Sequence, residues 1–409
     1  MSNNGIAAAG KCKRWEFLLL RSSVALEEIR VGERSLVAAR LRVHADVRKA
    51  FAEKTGVGHY VANVVENLCR HVEIRAVHGK GVGFHLRTLV TFWLDRNAVY
   101  FSPESLVAPT VLGRRAVLVI HDLTPVLIPH RHTRRNRLFH LLLLKIATRR
   151  AGGIIVPTAR VRDDLVRYQP AVSQKVRVIH EGNRMEIPPS PDRIRSQSVL
   201  YVGTIEPRKN VPALIRAFVS VPLGEMWTLD IVGRMGWVSA DEDAEFRSLI
   251  SGDNRIVYHG YLSDADLSER LNSASIFCYL SESEGFGLPV VEAMSSGLPC
   301  VISDDPALLE VADGHALVVR RGPKIVEETT AALTALMEDS ALRTELGIRG
   351  IRRGSAFSWS SHARQVAEVL EEVGSATGGD SSRFGNKVQM VPRRRSLGSL
   401  RWSHSSSRR

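Results

Sequence analysis

The run Ile-Phe-Cys-Tyr-Leu (276–280), followed by Glu-Gly-Phe-Gly-Leu-Pro-Val-Val-Glu (284–292), Gly297 and Cys-Val-Ile (300–302), decides the fold class. Its first segment has strand length and no polar alternation, as suits a strand buried on both faces of a parallel sheet. Pro289 to Ser296 reads as a helix with proline in the first turn, where a missing N–H costs nothing, and Gly297 stops it. A second apolar run then follows. Strand, helix and strand in succession form the repeating unit of a doubly wound α/β sheet.

The alternation extends outward from there. Ser-Val-Leu-Tyr-Val-Gly (198–203), Thr-Leu-Asp-Ile-Val-Gly (228–233) and Ile-Val-Tyr-His-Gly (256–260) are strands, and Val211 to Ser220 is a helix. Upstream, Pro-Pro-Ser-Pro (188–191) suits a stiff linker. Before it the pattern recurs: Leu-Arg-Val-His-Ala (41–45), Ala-Val-Leu-Val-Ile (116–120), Gly-Ile-Ile-Val (153–156) and Val-Arg-Val-Ile (176–179) are strands, and Tyr60 to Arg70 is a helix. A chain of 409 residues exceeds one compact core, so two α/β halves are expected. Residues 1–38 show no pattern and read as an extension.

Composition excludes several classes. The four cysteines, Cys12, Cys69, Cys278 and Cys300, form no C-x-x-C pair, so they read as free thiols of a reducing compartment. No apolar run approaches the roughly 20 residues of a membrane span, so a soluble cytoplasmic protein is expected. Of the net charge of +13, eight Lys/Arg lie between Ser381 and Arg409 without an acid among them. This tail reads as a solvated extension or as a peripheral contact with anionic membrane. No nucleic-acid partner is expected, because the charge lacks a folded face with interleaved aromatics.

Four segments carry chemistry. In Val-Gly-Thr-Ile-Glu-Pro-Arg-Lys-Asn (202–210), Gly203 ends a strand, and Arg208 and Lys209 stand together on a loop before a helix. The pair reads as a diphosphate clamp, with Arg forking onto two oxygens and Lys giving a point charge, or as a solvated basic turn. In 284–292, Gly285 and Gly287 permit close approach of backbone to a ligand. Glu284 lies in the loop, and Glu292, placed on the first helical turn, can accept from two ribose hydroxyls or answer the helix dipole. In Val-Ile-His-Asp-Leu-Thr-Pro (119–125), His121 follows a buried strand and is either structural or catalytic. Thr-Gly-Val-Gly-His-Tyr (55–60) reads as a glycine turn for a phosphate or sugar, since Val61 breaks G-x-G-x-x-G. Asp-Glu-Asp (241–243) is read as an exposed loop and not a metal site. Walker and G-x-S-x-G motifs are absent from the sequence.

As a set, these segments, with Ala-Met-Ser-Ser-Gly-Leu-Pro-Cys-Val (293–301) and Phe357-Ser-Trp359, resemble the group 1 glycosyltransferases, family 4 of the retaining enzymes, from about Leu41 to Val373. The resemblance implies a GT-B fold: a first Rossmann-like acceptor domain over 39–187, a linker over 188–197, a donor domain over 198–355, a helix over 356–374 crossing back, and a basic tail over 375–409. It implies transfer of a hexose, mannose or glucose, from a nucleotide diphosphate sugar to a saccharide or lipid-linked acceptor in surface polysaccharide or glycolipid biosynthesis. Neither metal nor further cofactor is implied. Glu284, His121, Arg208 and Lys209 are the implied catalytic set. Gly56, Gly58, Gly203, Arg208, Lys209, Tyr261, Leu262, Phe286, Gly287, Leu288 and Glu292 are the implied donor-binding set. His59 departs from the family's frequent arginine. A nucleotide-sugar epimerase or a silent nucleotide-sugar binder on the same scaffold is the alternative.

Overall fold

The computed structural model describes residues 40–51, 56–79, 82–124, 134–183, 195–222, 226–236 and 238–377. The N-terminal extension, Thr55, Pro125, most of the linker and the basic tail from residue 378 lie outside them, while residues 375–377 belong to the last helix. In the first half, strands alternate with helices in the order β1 (Arg42–Asp46), α1 (Gly56–Leu68), β2 (Glu73–Val77), α2 (Val82–Leu94), β3 (Val99–Ser102), α3 (Val107–Leu112), β4 (Ala116–Val119), α4 (Arg134–Arg150), β5 (Gly153–Val156), α5 (Ala159–Tyr168) and β6 (Val176–Val178). The second half runs β7 (Ser198–Val202), α6 (Val211–Val219), β8 (Thr228–Val232), α7 (Ala240–Ser251), β9 (Ile256–Gly260), α8 (Asp264–Ser273), β10 (Ile276–Tyr279), α9 (Leu288–Ser295), β11 (Cys300–Ser303), α10 (Pro306–Ala312) and β12 (Leu317–Val319). It closes with α11 (Ile325–Glu338) and α12 (Ser340–Gly354), after which α13 (Trp359–Thr377) follows.

Each half is one parallel six-stranded sheet, ordered β2-β1-β3-β4-β5-β6 and β12-β11-β10-β7-β8-β9. In the first sheet the strand order reverses between β1 and β3, and in the second between β7 and β10. Crevices outside the carboxyl ends of strands at such reversals are where open α/β sheets take ligands. The loops after β7 and β10 carry Arg208, Lys209 and Glu284, so topology alone sets these three beside the second crevice.

The central strands are buried end to end, as their uninterrupted apolar runs require. Three strands, β2, β3 and β12, are not legible in the sequence. β2 and β12 are partly exposed edge strands, the former carrying Glu73 and Arg75, while β3 is buried throughout. Among the described residues, no helix is long and apolar enough to cross a membrane.

Helix α13 follows the second half but packs on the first, burying Ala363, Val366, Leu370 and Val373 against Val43, Val64, Val99 and Val117. His362 anchors it: Tyr60 Oη lies 3.0 Å from Nε2, and Nδ1 lies 2.8 Å from the His180 carbonyl. With Nδ1–H donating to that carbonyl, Nε2 accepts from the tyrosine, so the ring is neutral. Burial pushes its pKa down to about 4, from 6.5. The unfolded chain therefore takes up this proton at higher pH than the folded one. The neutral ring's contribution is whole above pH 6.5 and is lost as pH falls toward 4, up to about 3 kcal/mol. The urea midpoint should fall over that interval in the native protein and much less in His362→Gln. Equal slopes for the two would refute the linkage.

Candidate active site

The loop after β7 turns sharply: Pro207–Lys209 forms a single 3-10 turn and Asn210 adopts the left-handed conformation (φ 53°) before α6 begins. This sets Arg208 and Lys209 toward the loop that follows β10. The two loops are laced together, Glu282 N donating to the Arg208 carbonyl (2.7 Å) and Arg208 Nη1 to the Ser283 carbonyl (2.7 Å). Arg208 also donates to Glu284 Oε1 (3.1 Å) and, through Nη2, pairs with Glu206 Oε1 (2.7 Å). Lys209 Nζ donates to Glu284 Oε1 and to the Tyr279 hydroxyl, which itself donates to Glu284 Oε1 (3.0 Å). Two cations thus meet two carboxylates in a nearly closed space, Lys209 and Glu284 retaining 8% and 9% side-chain exposure.

Burial opposes every one of these charges, and mutual attraction decides the outcome. For Glu284 burial alone would raise the pKa, but Lys209 and Arg208 overcome it and pull the value down to about 2. Burial also acts against Arg208, yet Glu284 and Glu206 outweigh it and hold the guanidinium above its ordinary range. Lys209, nearly enclosed, falls below its usual value through burial, with Glu284 opposing and Arg208 adding to the fall. The sequence pointed to Arg208, Lys209 and Glu284 but not to Glu206 or Tyr279. Glu206 was in plain view two residues before Arg208, whereas Tyr279 lay inside an apolar run.

The first half meets this cluster through His121 and Asp122, at the carboxyl end of β4. A Cβ placed on Gly285 would lie 1.8 Å from the His121 carbonyl oxygen and 3.4 Å from Asp122 Cβ. Only a glycine lets the loop lie this close. Thr158 Oγ1 donates to the Gly285 carbonyl (2.9 Å), and Asp122 adds to the field that favours the Arg208 charge. The His121 ring faces its own half: Nδ1 lies 3.2 Å from Glu181 Oε1, Nε2 lies 2.9 Å from the Pro103 carbonyl, and Tyr60 stands edge-on at 4.6 Å. Two acceptors on two ring nitrogens require both to carry protons. Burial opposes the charge, but the Glu181 hydrogen bond and charge prevail and the pKa is raised. Glu181 gave no sign in the sequence.

A second bridge ties the halves together. Glu310 on α10 accepts from Ala159 N (2.8 Å) and Arg160 N (3.4 Å) at the start of α5, and lies 2.8 Å from His180 Nε2. A carboxylate there answers both the free amides and the dipole of α5.

Three sequence readings need correction. Gly56 and Gly58 do not form a turn ahead of a helix but lie in the first turn of α1 itself. The N–H groups of a first turn lack intrahelical partners in any case, so glycine is tolerated there. Gly58 is buried, while no atom comes within 4 Å of a Cβ built on Gly56. Glu292 stands in the second turn of α9, because that helix begins at Leu288 with Gly287 (φ 100°) as its N-cap. It is 2% exposed, beyond the residues whose N–H groups are free. Asp241 and Asp243 are not in a loop; they open α7, where Ser239 and Glu242 form a capping box.

The remaining residues are spread around the second crevice and its rim. Gly203 ends β7, and its carbonyl lies 1.8 Å from a Cβ built on Gly233. Tyr261 is 46% exposed beneath the Arg234 guanidinium, 4.2 Å from its ring centroid, and Leu262 packs beside the second core. Phe286 is buried against Phe357, and Leu288 opens α9. His59 Nε2 lies 3.9 Å from Asp264 Oδ1 of the second half.

Comparison with known proteins bears on this arrangement. Residues 188–353 match the family model of the group 1 glycosyl transferases. O-antigen chain mannosyltransferase B of Escherichia coli is 36% identical over 177 residues, which is 42% of this chain and 45% of that protein. The MMP alpha-(1->4)-mannosyltransferase of Mycolicibacterium hassiacum is 33% identical over 190 residues, 45% of each. The chain thus spans less than half the length of these two relatives. HepE of Anabaena, solved with UDP and glucose, superposes with a TM-score of 0.66 at 16% identity, covering 81% of this chain and all of that one. That likeness is one of fold, the GT-B pairing of two parallel sheets. The chain therefore has the GT-B fold, and its residues 188–353 are similar to the group 1 glycosyl transferases.

Proposed function

We propose that this protein transfers a hexose, mannose by preference, from a nucleotide diphosphate sugar to an acceptor hydroxyl, with retention, in the assembly of a surface polysaccharide or glycolipid. The observation that carries this reading is the convergence of Arg208, Lys209 and Glu284 at the strand-order reversal of the second sheet, with Gly285 pressed against His121 of the first. The mannosyltransferase names of the two sequence relatives support the sugar, and the UDP and glucose of the HepE structure support a nucleotide diphosphate donor.

In this mechanism the diphosphate takes over Arg208 and Lys209 from Glu284, which turns to the sugar. Glu292 holds the ribose hydroxyls, Tyr261 and Leu262 flank the base, and the backbone of Phe286, Gly287 and Leu288 meets the sugar and phosphate. Gly56 and Gly58 leave room beside the diphosphate, and the His121 imidazolium adds positive charge near the sugar. The acceptor oxygen bonds to the anomeric carbon as the carbon–phosphate-oxygen bond breaks. Its proton passes to the departing phosphate oxygen, and the two cations stabilise the charge left there. No metal enters these steps. The reaction takes place in the cytoplasm, with the acceptor held by the first half at the inner face of the membrane.

A thermal-shift screen against UDP-, GDP- and ADP-sugars, followed by transfer assays, tests the reading. One donor should raise the melting temperature in a dose-dependent way and yield glycosylated acceptor. Stabilisation with neither transfer nor hydrolysis would leave only a binder; release of an altered free sugar without acceptor would indicate an epimerase; no shift with any donor would end the proposal.

A further inference from the structure

At the opposite end of the first sheet lies a second concentration of charge, remote from the cleft. Where the amino ends of β4, β5 and β6 meet the last turns of α4 and α13, a cavity of about 480 Å³ is lined by Arg114, Arg149, Arg150, Lys175 and Arg177, with Glu372 as its sole acid. Glu372 is taken by Arg177 (3.3 Å). Among the described residues, Arg114, Arg149 and Arg150 have no carboxylate within ion-pair distance. Lys175 donates to the Arg149 and Ala151 carbonyls, 2.7 Å each, so it is pinned in place at the C-terminus of α4. Its pKa is lowered by burial and, further, by Arg114.

Cations in the last turn of α4 answer that helix's dipole, which accounts for Arg149 and Arg150 taken singly. It does not account for Arg114 and Arg177, which come from other elements and face the same space. Five cations around one paired acid repel one another unless an anion lies among them.

Two further features adjoin the cavity. Arg150 reaches over Gly113 at the end of α3, its Nη2 3.7 Å from a Cβ built there, so α3 and α4 share this corner. Away from it, α3 exposes Val107 and Val111, and α4 exposes Leu142 and Ile146, each pair spaced by four and so on one helix face. Each pair lies on its own helix, a turn or more from the charged corner, and offers apolar surface to a lipid-borne group. Ala376 and Thr377 line the cavity, and the chain continues from there into residues 378–409, with eight Lys/Arg and one Asp.

We propose that this cavity is a binding site for a phosphate-bearing anion, supplied either by an anionic lipid headgroup or by a soluble diphosphate. Phosphate oxygens suit the forked arginines and the fixed ammonium, and the neighbouring apolar pairs suit a lipid-borne group. This does not depend on the sugar-transfer reading, because none of its residues touches the cleft.

The test uses the full chain and two probes: inorganic pyrophosphate by calorimetry, and phosphatidylcholine vesicles with or without phosphatidylglycerol by sedimentation. The variant is Arg114→Gln/Arg149→Gln/Arg150→Gln, all surface residues, checked by melting temperature. Each replacement is also made singly, should the triple variant fail to fold. A lipid-borne anion is indicated if the native chain sediments with the anionic vesicles, if each charge removed weakens this about fivefold, and if Leu142→Gln/Ile146→Gln weakens it too. A soluble anion is indicated if pyrophosphate affinity falls in the triple variant while Leu142→Gln/Ile146→Gln binds normally. Pyrophosphate binding that survives the triple variant but is lost in Lys209→Met belongs to the cleft and counts against a soluble anion in this cavity. The proposal fails if the triple variant matches the native chain with both probes, if the native chain binds neither, or if vesicle binding is lost only on replacing Arg393, Arg394 and Arg395 of the tail.

Discussion

Gly285→Ala should reduce sugar transfer about a hundredfold, the effect that a misplacement of roughly 1 Å has on a reacting centre. The residue does not lie in the left-handed region, so alanine fits its backbone. The obstacle is steric and lies in the other half, 1.8 Å away at the His121 carbonyl. A methyl group there must push the halves apart or tilt the loop that carries Glu284, and either change displaces the cluster from the first sheet. Because the collision involves backbone rather than a flexible side-chain tip, local yielding gives little relief. The core packing of each half should persist, so the melting transition should stay cooperative while kcat/KM collapses. Unaltered turnover in this variant would mean that the contact between Gly285 and His121 has no part in catalysis.

Glu284→Gln should destabilise the second half by about 3–5 kcal/mol, the usual result of removing one member of a buried ion pair. The neutral amide would leave Lys209 enclosed without its anionic partner, and Glu206 is already engaged by Arg208. A nucleoside diphosphate brings back the missing negative charge. GDP or UDP, whichever the native protein binds, should therefore raise the melting temperature of Glu284→Gln more than that of the native protein, although the variant transfers no sugar. Lys209→Met should show the reverse pattern, with the ligand-induced shift lost and turnover reduced on the order of 10²–10³-fold. A larger nucleotide-induced shift in the native protein than in Glu284→Gln would show that Glu284 and the diphosphate do not compete for the same two cations.

What the sequence disclosed follows from where its information lies. β5, β7 and β10 were readable because strands covered on both faces are apolar without interruption, whereas β2 and β12, half exposed at sheet edges, carry no such mark. Arg208, Lys209 and Glu284 were readable because each lies a few residues past a strand end, where ligands of open sheets bind. Glu181 on His121 and Glu310 on the start of α5 were not, since these partners lie 60 and 151 residues apart and no local spacing encodes such a pairing. The starts of α1 and α9 are misplaced by local reading for one reason. It treats glycine as a breaker at Gly56 and overlooks it as a cap at Gly287, although helix entry tolerates the first and favours the second's left-handed backbone.

Because α13 returns to the first sheet, the polypeptide passes between the halves twice, once between Asn183 and Arg195 and again between Gly354 and Trp359. Two tethers define an axis where one would allow a free swivel, so opening should resemble a book on its spine. Severing the chain between the sheets would not yield two viable fragments either. The leading piece would lack the helix that covers Val43 and Val99, and the trailing piece would carry that helix with nothing to cover; a circular permutant joining Thr377 to the leading edge of β1 would keep each half whole.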